Sequence, residues 1–433
     1  MAKNKRKRFR PGSVLVMGFL IVILLGSALL SLPFAQREGS EAGYLDCLFV
    51  STSAVCVTGL TTVDIADTFT VFGRTVVMML VQVGGLGFAS FALFVISLIG
   101  RNISFSSMSI AKEAMNYDSG KGIIGMVHSV LRYAFLIETA GTVLLAVPYY
   151  MRSGDMLYAI GMGVFHSVSA FNNAGFDLNG GMSSLSGFRG DVYVNVVVAL
   201  LIILGGLGFF VLNDIVRKHR WSKFSFHTKI VLFMTLVLVT GGMLLLVAGG
   251  LEPLDSFFLS VSARTAGFST IALESLPNSS TLVMIFLMFI GASPGSTGGG
   301  VKTTTVFVIF VAMAAVVTGR KPNVFERRIA HDSIIKAMTV FVMAIIVILT
   351  ATFGIMVMEG DAYPTIDILF EVVSAAATVG LSRSLTPLLQ TGSRLIIMLV
   401  MFFGRLGPLT IVTMFTRTAP GRVGYIQENV LIG

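Results

Sequence analysis

Hydrophobic positions in this chain come in blocks of span length rather than on one face of amphipathic helices. Val14 to Leu32 runs 19 residues without a charge, and further apolar blocks cover approximately 71–99, 122–148, 190–216, 228–250, 281–318, 333–358 and 393–416. Each supplies the roughly 20 residues that a membrane-crossing helix needs. The pattern predicts an all-α polytopic membrane protein with eight transmembrane helices. The first block follows Lys3, Lys5, Arg6, Lys7, Arg8 and Arg10, as in a signal peptide. It is of span length, more membrane follows, and there is no A-x-A cleavage pattern, so it reads as a retained helix.

Between consecutive pairs of blocks lies a stretch too short to cross and too apolar for a plain loop: Phe49-VSTSAVCVTGL, Phe165-HSVSAFNNAGF, Phe258-LSVSARTAGF and Phe370-EVVSAAATVGL. All four read F-x3-S-A, three or four residues, then glycine and a large apolar residue. The glycines Gly59, Gly175, Gly267 and Gly380 are 116, 92 and 113 residues apart, so the chain is four copies of one unit. That unit is helix, short re-entrant segment, helix (M1–pore loop–M2), arranged with pseudo-fourfold symmetry. The expected divisions are a basic cytoplasmic N-terminus (1–12), repeats over 13–99, 100–216, 217–318 and 319–416, and a cytoplasmic tail (417–433). The second helices repeat too, with Gly84-GLGF, Gly205-GLGF, Gly291-ASPG and Gly404-RLGP. Close packing through small residues accounts for Gly84 and Gly205.

Composition agrees: 55% of the 433 residues are hydrophobic and 12% charged, about half the charge of a soluble domain. The net charge of +9 is distributed by side of the membrane. On the eight-span layout 21 of the 31 Lys and Arg are cytoplasmic and 6 are outer, so both termini face the cytoplasm. This asymmetry points to membrane orientation and not to nucleic acid. Fourteen of the 22 acidic residues fall in outer segments, where net negative charge concentrates cations. Cys47 and Cys56 form no disulfide framework or metal pattern.

Irregular backbone at membrane depth survives only where protein or a water-filled cavity satisfies it, so four such segments around one axis would line a pore. Short helices starting near Asp46, Tyr158, Asp255 and Pro364 would aim their C-terminal ends inward, favouring a cation. Carbonyls of Val57, Thr58 and Gly59, of Asn173, Ala174 and Gly175, of Thr265, Ala266 and Gly267, and of Thr378, Val379 and Gly380 are the expected filter. Rings of neutral carbonyls suit K⁺ better than a divalent ion, which would want carboxylates.

The motifs TGL, NNAGF, RTAGF and ATVGL resemble the Trk/Ktr/HKT superfamily of potassium transporters, over roughly residues 12–433. With only the eight core spans, and ending Val430-Leu-Ile-Gly433, the chain is similar to the Ktr-type membrane subunit. The resemblance implies a K⁺-translocating protein of the bacterial cell membrane. It also implies a homodimer with one pore per chain on a cytosolic RCK-type ring that binds ATP or ADP, with Na⁺ as a candidate activator and lipid headgroups against the basic segments. Members with serine at the first filter glycine tend to pass Na⁺, so Gly59 implies K⁺ preference. The break Gly291, Ala292, Ser293, Pro294, Gly295, Ser296, Thr297, Gly298, Gly299, Gly300 through Lys302 matches the family's intramembrane gating loop, and Arg405 its facing arginine. Na⁺-coupled symport and a Na⁺-conducting pore stay open as alternatives.

Enzymatic readings find little. Gly295, Gly300, Lys302 and Thr303 approach a P-loop, but a valine intrudes and apolar helices flank it. No nucleotide bound by this chain is expected. The five histidines make neither H-E-x-x-H nor a Ser/His/Asp set, so neither a membrane ATPase nor a protease is favoured. Arg264, beside the third filter glycine, calls for a carboxylate partner. Glu138, well inside a span, is expected to pair with Arg132 or make a polar helix contact.

Overall fold

The computed structural model describes residues 11–40, 42–87 and 123–407. The basic stretch before residue 11, the segment 100–121, the far ends of the second blocks of repeats 1 and 4, and the tail 417–433 lie outside the described residues.

Repeat 1 comprises α1 (Pro11–Leu30), pore helix α2 (Tyr44–Cys56), the single turn α3 (Ile65–Thr68) and α4 (Val71–Leu86). Repeat 2 has α5 (Ile123–Ser153), pore helix α6 (Met156–Phe171), α7 (Val192–Leu207) and α8 (Phe209–Lys218). Repeat 3 has α9 (Phe226–Ala248), pore helix α10 (Pro253–Ser262), α11 (Asn278–Phe289) and α12 (Thr303–Val317). A small antiparallel hairpin, β1 (Asn323–Val324) with β2 (Arg327–Arg328), precedes α13 (His331–Glu359), pore helix α14 (Thr365–Ala376) and α15 (Thr391–Leu406) of repeat 4.

Among the described residues, α1, α5, α9 and α13 are long and apolar enough to cross a membrane. The second helices differ from the uninterrupted blocks that the sequence suggests. Residues 190–216 form two helices, α7 and α8, bent through 98° at Gly208. The same glycine of the G-x-L-G pattern caps α4 as Gly87 (φ 83°) and α15 as Gly407 (φ 80°). In repeat 3 the helix stops at Phe289 and resumes at Thr303.

The outside is oily, and polar side chains are gathered inside, within an otherwise apolar core. Met17, Leu24, Leu25, Phe135, Leu157, Leu244, Val316 and Phe353 are exposed, while Ser51, Ser53, Thr58, Asn173 and Thr265 are buried, the inversion expected of a chain whose solvent is lipid. The core closes the repeats into a ring. Phe49 packs in one cluster with Ile397 and Met401 of repeat 4, Phe165 with Val77 and Leu80 of repeat 1, and Phe258 with Val198 and Ile202 of repeat 2. Each pore helix therefore leans on the wall of the preceding repeat. All four pore helices carry an aspartate at the cap or in the first turn, namely Asp46, Asp155, Asp255 and Asp367, where it complements the unpaired N–H groups and the dipole.

Candidate functional site

After each pore helix the backbone turns back in the same way. Val57, Asn173, Thr265 and Thr378 have φ of 56°, 57°, 81° and 53°, and Gly59, Gly175, Gly267 and Gly380 have φ of 96°, 70°, 82° and 92°. The intervening Thr58, Ala174, Ala266 and Val379 are not left-handed, so handedness alternates along each three-residue strand. Only glycine adopts the third conformation freely.

The glycines meet around one axis. A β-carbon placed on Gly59 would stand 2.5 Å from the carbonyl oxygen of Ala174, one on Gly175 2.7 Å from that of Ala266, and one on Gly267 2.5 Å from that of Val379. One on Gly380 would run into the carbonyl of Thr58, closing the circle. Every glycine abuts the carbonyl of the residue before the next repeat's glycine. All four also floor an outer vestibule of about 400 Å³, whose walls include Asp64, Asp177 and Glu274.

The repeated serine explains itself here. Gly59 donates its N–H to Ser53 Oγ at 3.0 Å and Gly380 its own to Ser374 Oγ at 3.1 Å. Where phenylalanine follows the glycine the bond changes partner: Ser169 Oγ donates to the Phe176 carbonyl at 2.7 Å and Ser262 Oγ to that of Phe268 at 2.5 Å.

The chain beyond each glycine is braced in two alternating ways. In repeats 1 and 3 the first-turn aspartate does it: Asp46 accepts from Thr62 Oγ1 at 2.7 Å and Arg394 Nη1 at 3.0 Å, and Asp255 from Thr270 Oγ1 at 2.8 Å and Arg189 Nε at 3.0 Å. In repeats 2 and 4 the residue after the pore-helix phenylalanine does it. His166 Nε2 accepts the Leu178 N–H at 3.4 Å, and buried Glu371 accepts from Ser382 Oγ at 2.5 Å, Thr386 Oγ1 at 2.9 Å and the N–H groups of Arg383 and Leu385. Asp367 pairs with Arg383 at 2.7 Å. The sequence signal for this bracing was the position after that phenylalanine, which is Val50, His166, Leu259 and Glu371 in turn. Several outer acids are therefore structural, and the vestibule charge rests on fewer groups than the sequence count suggests.

Beneath the glycine ring lies the break of repeat 3. Its ends are joined by Gly291 N–H to Val301 O at 2.8 Å and Ala292 N–H to Gly299 O at 3.3 Å. It is bonded to repeat 2 by Ser293 N–H to Gly206 O at 3.1 Å, Phe209 N–H to Gly295 O at 2.9 Å and Thr297 Oγ1 to Phe171 O at 3.1 Å. Ser296 Oγ donates within the loop to Ser293 O at 2.6 Å, and Pro294 O lies against Gly208. Gly299 donates to Thr378 Oγ1 at 3.0 Å, Gly298 sits against Thr265, and Gly300 against Ala377. Lys302 Nζ donates to the carbonyls of Gly298 at 2.8 Å and Gly299 at 3.3 Å. Arg405 ties the loop to repeats 1 and 4: Nη1 donates to Thr297 O, and Nη2 to Gly84 O and, at 3.2 Å, to Gly85 O.

One expectation changes, and one resolves between its two alternatives. Arg264 has no carboxylate partner among the described residues; it is buried, Nη1 donates to the Thr235 carbonyl at 3.4 Å, and Nε has no partner. Repeat 3 is one residue shorter between serine and glycine, so this arginine stands three residues before the glycine, where the others carry Cys56, Asn172 and Ala377. Glu138 takes the polar helix contact and not Arg132, bonding to Gln82 and Asn172.

A cation transport protein family, TrkH, has a model that matches residues 4–251 and 221–422. The chain is 38% identical to the Ktr system potassium uptake protein B of Bacillus subtilis, covering 98% of this chain and 97% of that protein. It is 37% identical to the potassium/sodium uptake protein NtpJ of Enterococcus hirae, covering 100% of this chain and 99% of that one. The crystal structure of the potassium transporter TrkH from Vibrio parahaemolyticus shares the fold, with a TM-score of 0.71 at 18% identity over 96% of this chain and 87% of that one.

Proposed function

This chain belongs to the TrkH family of cation transport proteins, whose members here are transporters and not enzymes, and on that premise we propose that it is a K⁺-translocating membrane subunit of a Ktr-type uptake system. The observation that carries this reading is the closed circle of glycines, each against the neighbouring repeat's carbonyl. Carbonyl oxygens crowded at that circle replace the hydration shell of a weakly hydrated monovalent cation. Residues 57–59, 173–175, 265–267 and 378–380 are the filter. The loop 291–302 with Arg405 is the gate, held shut from below by bonds to repeats 1, 2 and 4. Net flow is driven by the membrane potential, worth about 2.3 kcal/mol per charge per 100 mV.

The name of the Bacillus relative supports K⁺ as cargo and a multi-component system. A homodimer on a cytosolic, nucleotide-binding RCK-type ring is the assembly we propose, with both termini in the cytoplasm and the nucleotide held by the partner. One observation favours a second reading: the Enterococcus relative, equally similar along its length, is named for potassium and sodium. Sodium is then either an activator or a second cargo.

Tracer uptake into liposomes holding the purified chain, under a negative-inside potential, tests both. K⁺ uptake that excess Na⁺ does not displace is expected. Gly59→Ser should lower the K⁺ over Na⁺ preference by about tenfold, ~1.4 kcal/mol. A preference unchanged in that variant refutes the filter, and Na⁺ uptake equal to K⁺ uptake in the parent establishes the second reading.

A further inference from the structure

Behind the second filter strand three polar side chains from three helices meet at membrane depth. Glu138 of α5 lies with Oε1 and Oε2 3.0 and 3.1 Å from Gln82 Nε2 of α4, and its Oε1 also accepts from Asn172 Nδ2 at 3.0 Å. Asn172 Nδ2 also lies 2.8 Å from Gln82 Oε1 and 2.9 Å from the Val168 carbonyl, so its two N–H groups are shared among three acceptors. Asn172 is wholly buried, caps pore helix α6 and directly precedes Asn173, the left-handed first residue of the strand. Ser167 Oγ holds the Glu138 carbonyl at 2.8 Å, locking α5 to α6 at the same level.

No ion pair to Glu138 exists among the described residues; amide N–H groups alone satisfy its carboxylate. A carboxylate at this depth is costly, and what it adds over an amide is directionality. Ionised, it offers acceptors only, and both amides turn their NH₂ groups toward it. The orientation forced on Asn172 has a visible cost. Its Oδ1 is buried without a hydrogen bond, pressed toward Gly85, where any β-carbon would collide with it.

We propose that Glu138 is a positioning residue for ion selection: by fixing Asn172 it holds the second filter strand, 173–175, at the spacing that discriminates K⁺ from Na⁺. The inference rests on the filter reading above. The other three repeats place Cys56, Arg264 and Ala377 at the position of Asn172, so this clamp belongs to one quadrant.

The test is the ratio of K⁺ to Na⁺ uptake by full-length protein in liposomes. Glu138→Gln, which puts a donor among donors, should lower the ratio about fivefold, the weight of one hydrogen bond, while K⁺ uptake persists. The double variant Gln82→Glu with Glu138→Gln returns one carboxylate and one amide to the pair, and should restore the ratio. An unchanged ratio in folded E138Q overturns the proposal, as does a fall that the exchange does not restore, since general loosening would not be mended by it. Should E138Q not fold, Asn172→Ala carries the test with the same expected fall, and an unchanged ratio there is equally fatal. Gly59→Ser run beside them separates the two failures. If it lowers the ratio and E138Q does not, the filter stands and the positioning role falls; if neither does, the filter reading falls first.

Discussion

Asp177 comes two residues after Gly175, the second glycine of the proposed filter, in the wall of the vestibule above the glycine ring, with its Oδ1 accepting the Asn179 N–H at 2.9 Å. Burial pushes its carboxyl up to about 6, the nearby charge of Asp64 adds to the rise, and the Asn179 bond opposes it. An acid raised in this way is neutral below about 6 and charged above it, so acidifying the outer solution removes negative charge from the vestibule. Uptake should fall about twofold between external pH 7 and 5, the weight of a unit charge screened by water at roughly 10 Å. In Asp177→Asn the profile should be flat over that interval; a retained fall would place the titration elsewhere. The shared backbone course of the four three-residue strands was legible, because the repeat writes it four times over. What bonds behind the strands was not. Glu371, His166 and Asn172 occupy repeat positions that hold Val50, Leu259 or Ala377 elsewhere, and a pattern found by similarity passes over the places where the copies differ.

The second helices teach the opposite lesson about legibility. Their apolar runs continue through the glycine, so hydropathy alone reads a straight span, yet α7 and α8 diverge by 98°. The signal was the second glycine of G-x-L-G, at the same register in repeats 1, 2 and 4. At Gly208 two constraints coincide: φ is 93°, and a β-carbon would lie 2.6 Å from the Pro294 carbonyl. Gly208→Ala should cost about 1–3 kcal/mol, seen as a thermal midpoint lower by about 2–4 °C per kcal/mol in detergent. Gly161→Ala, where the new methyl meets nothing within 4 Å, should leave the midpoint in place. Equal shifts in both would mean that the bend is not what Gly208 secures. Gly84 and Gly205 act by packing, as their sequence suggested, lying against the carbonyls of Val55 and Phe171, and Gly404 lies in the same way against that of Ala376.

At the scale of the molecule, four quasi-equivalent units enclose one axis, and a single side chain gathers three of them under it. Arg405 of repeat 4 reaches Thr297 of repeat 3 and Gly84 and Gly85 of repeat 1. Hydrogen bonds from a charged donor contribute about 1.5–3 kcal/mol each, so losing even one of them in Arg405→Ala should raise K⁺ flux through the chain alone by at least about tenfold, ~1.4 kcal/mol. Tracer flux in liposomes without any partner checks this, and an unchanged rate would show that the loop is held by its other bonds. The fourfold plan was plain from spacing, whereas the direction in which the ring closes depends on which carbonyl each glycine touches, which spacing does not encode. Lys302 and Arg405 between them occupy the carbonyl oxygens of five residues, Gly298, Gly299, Thr297, Gly84 and Gly85. Two covalently tethered cations thus already sit on the oxygens beneath the glycine ring. On the gate reading proposed above, opening would be a ligand exchange in which a mobile ion displaces a tethered one from the same oxygens, and cation concentration on that side would enter the equilibrium as a competitor.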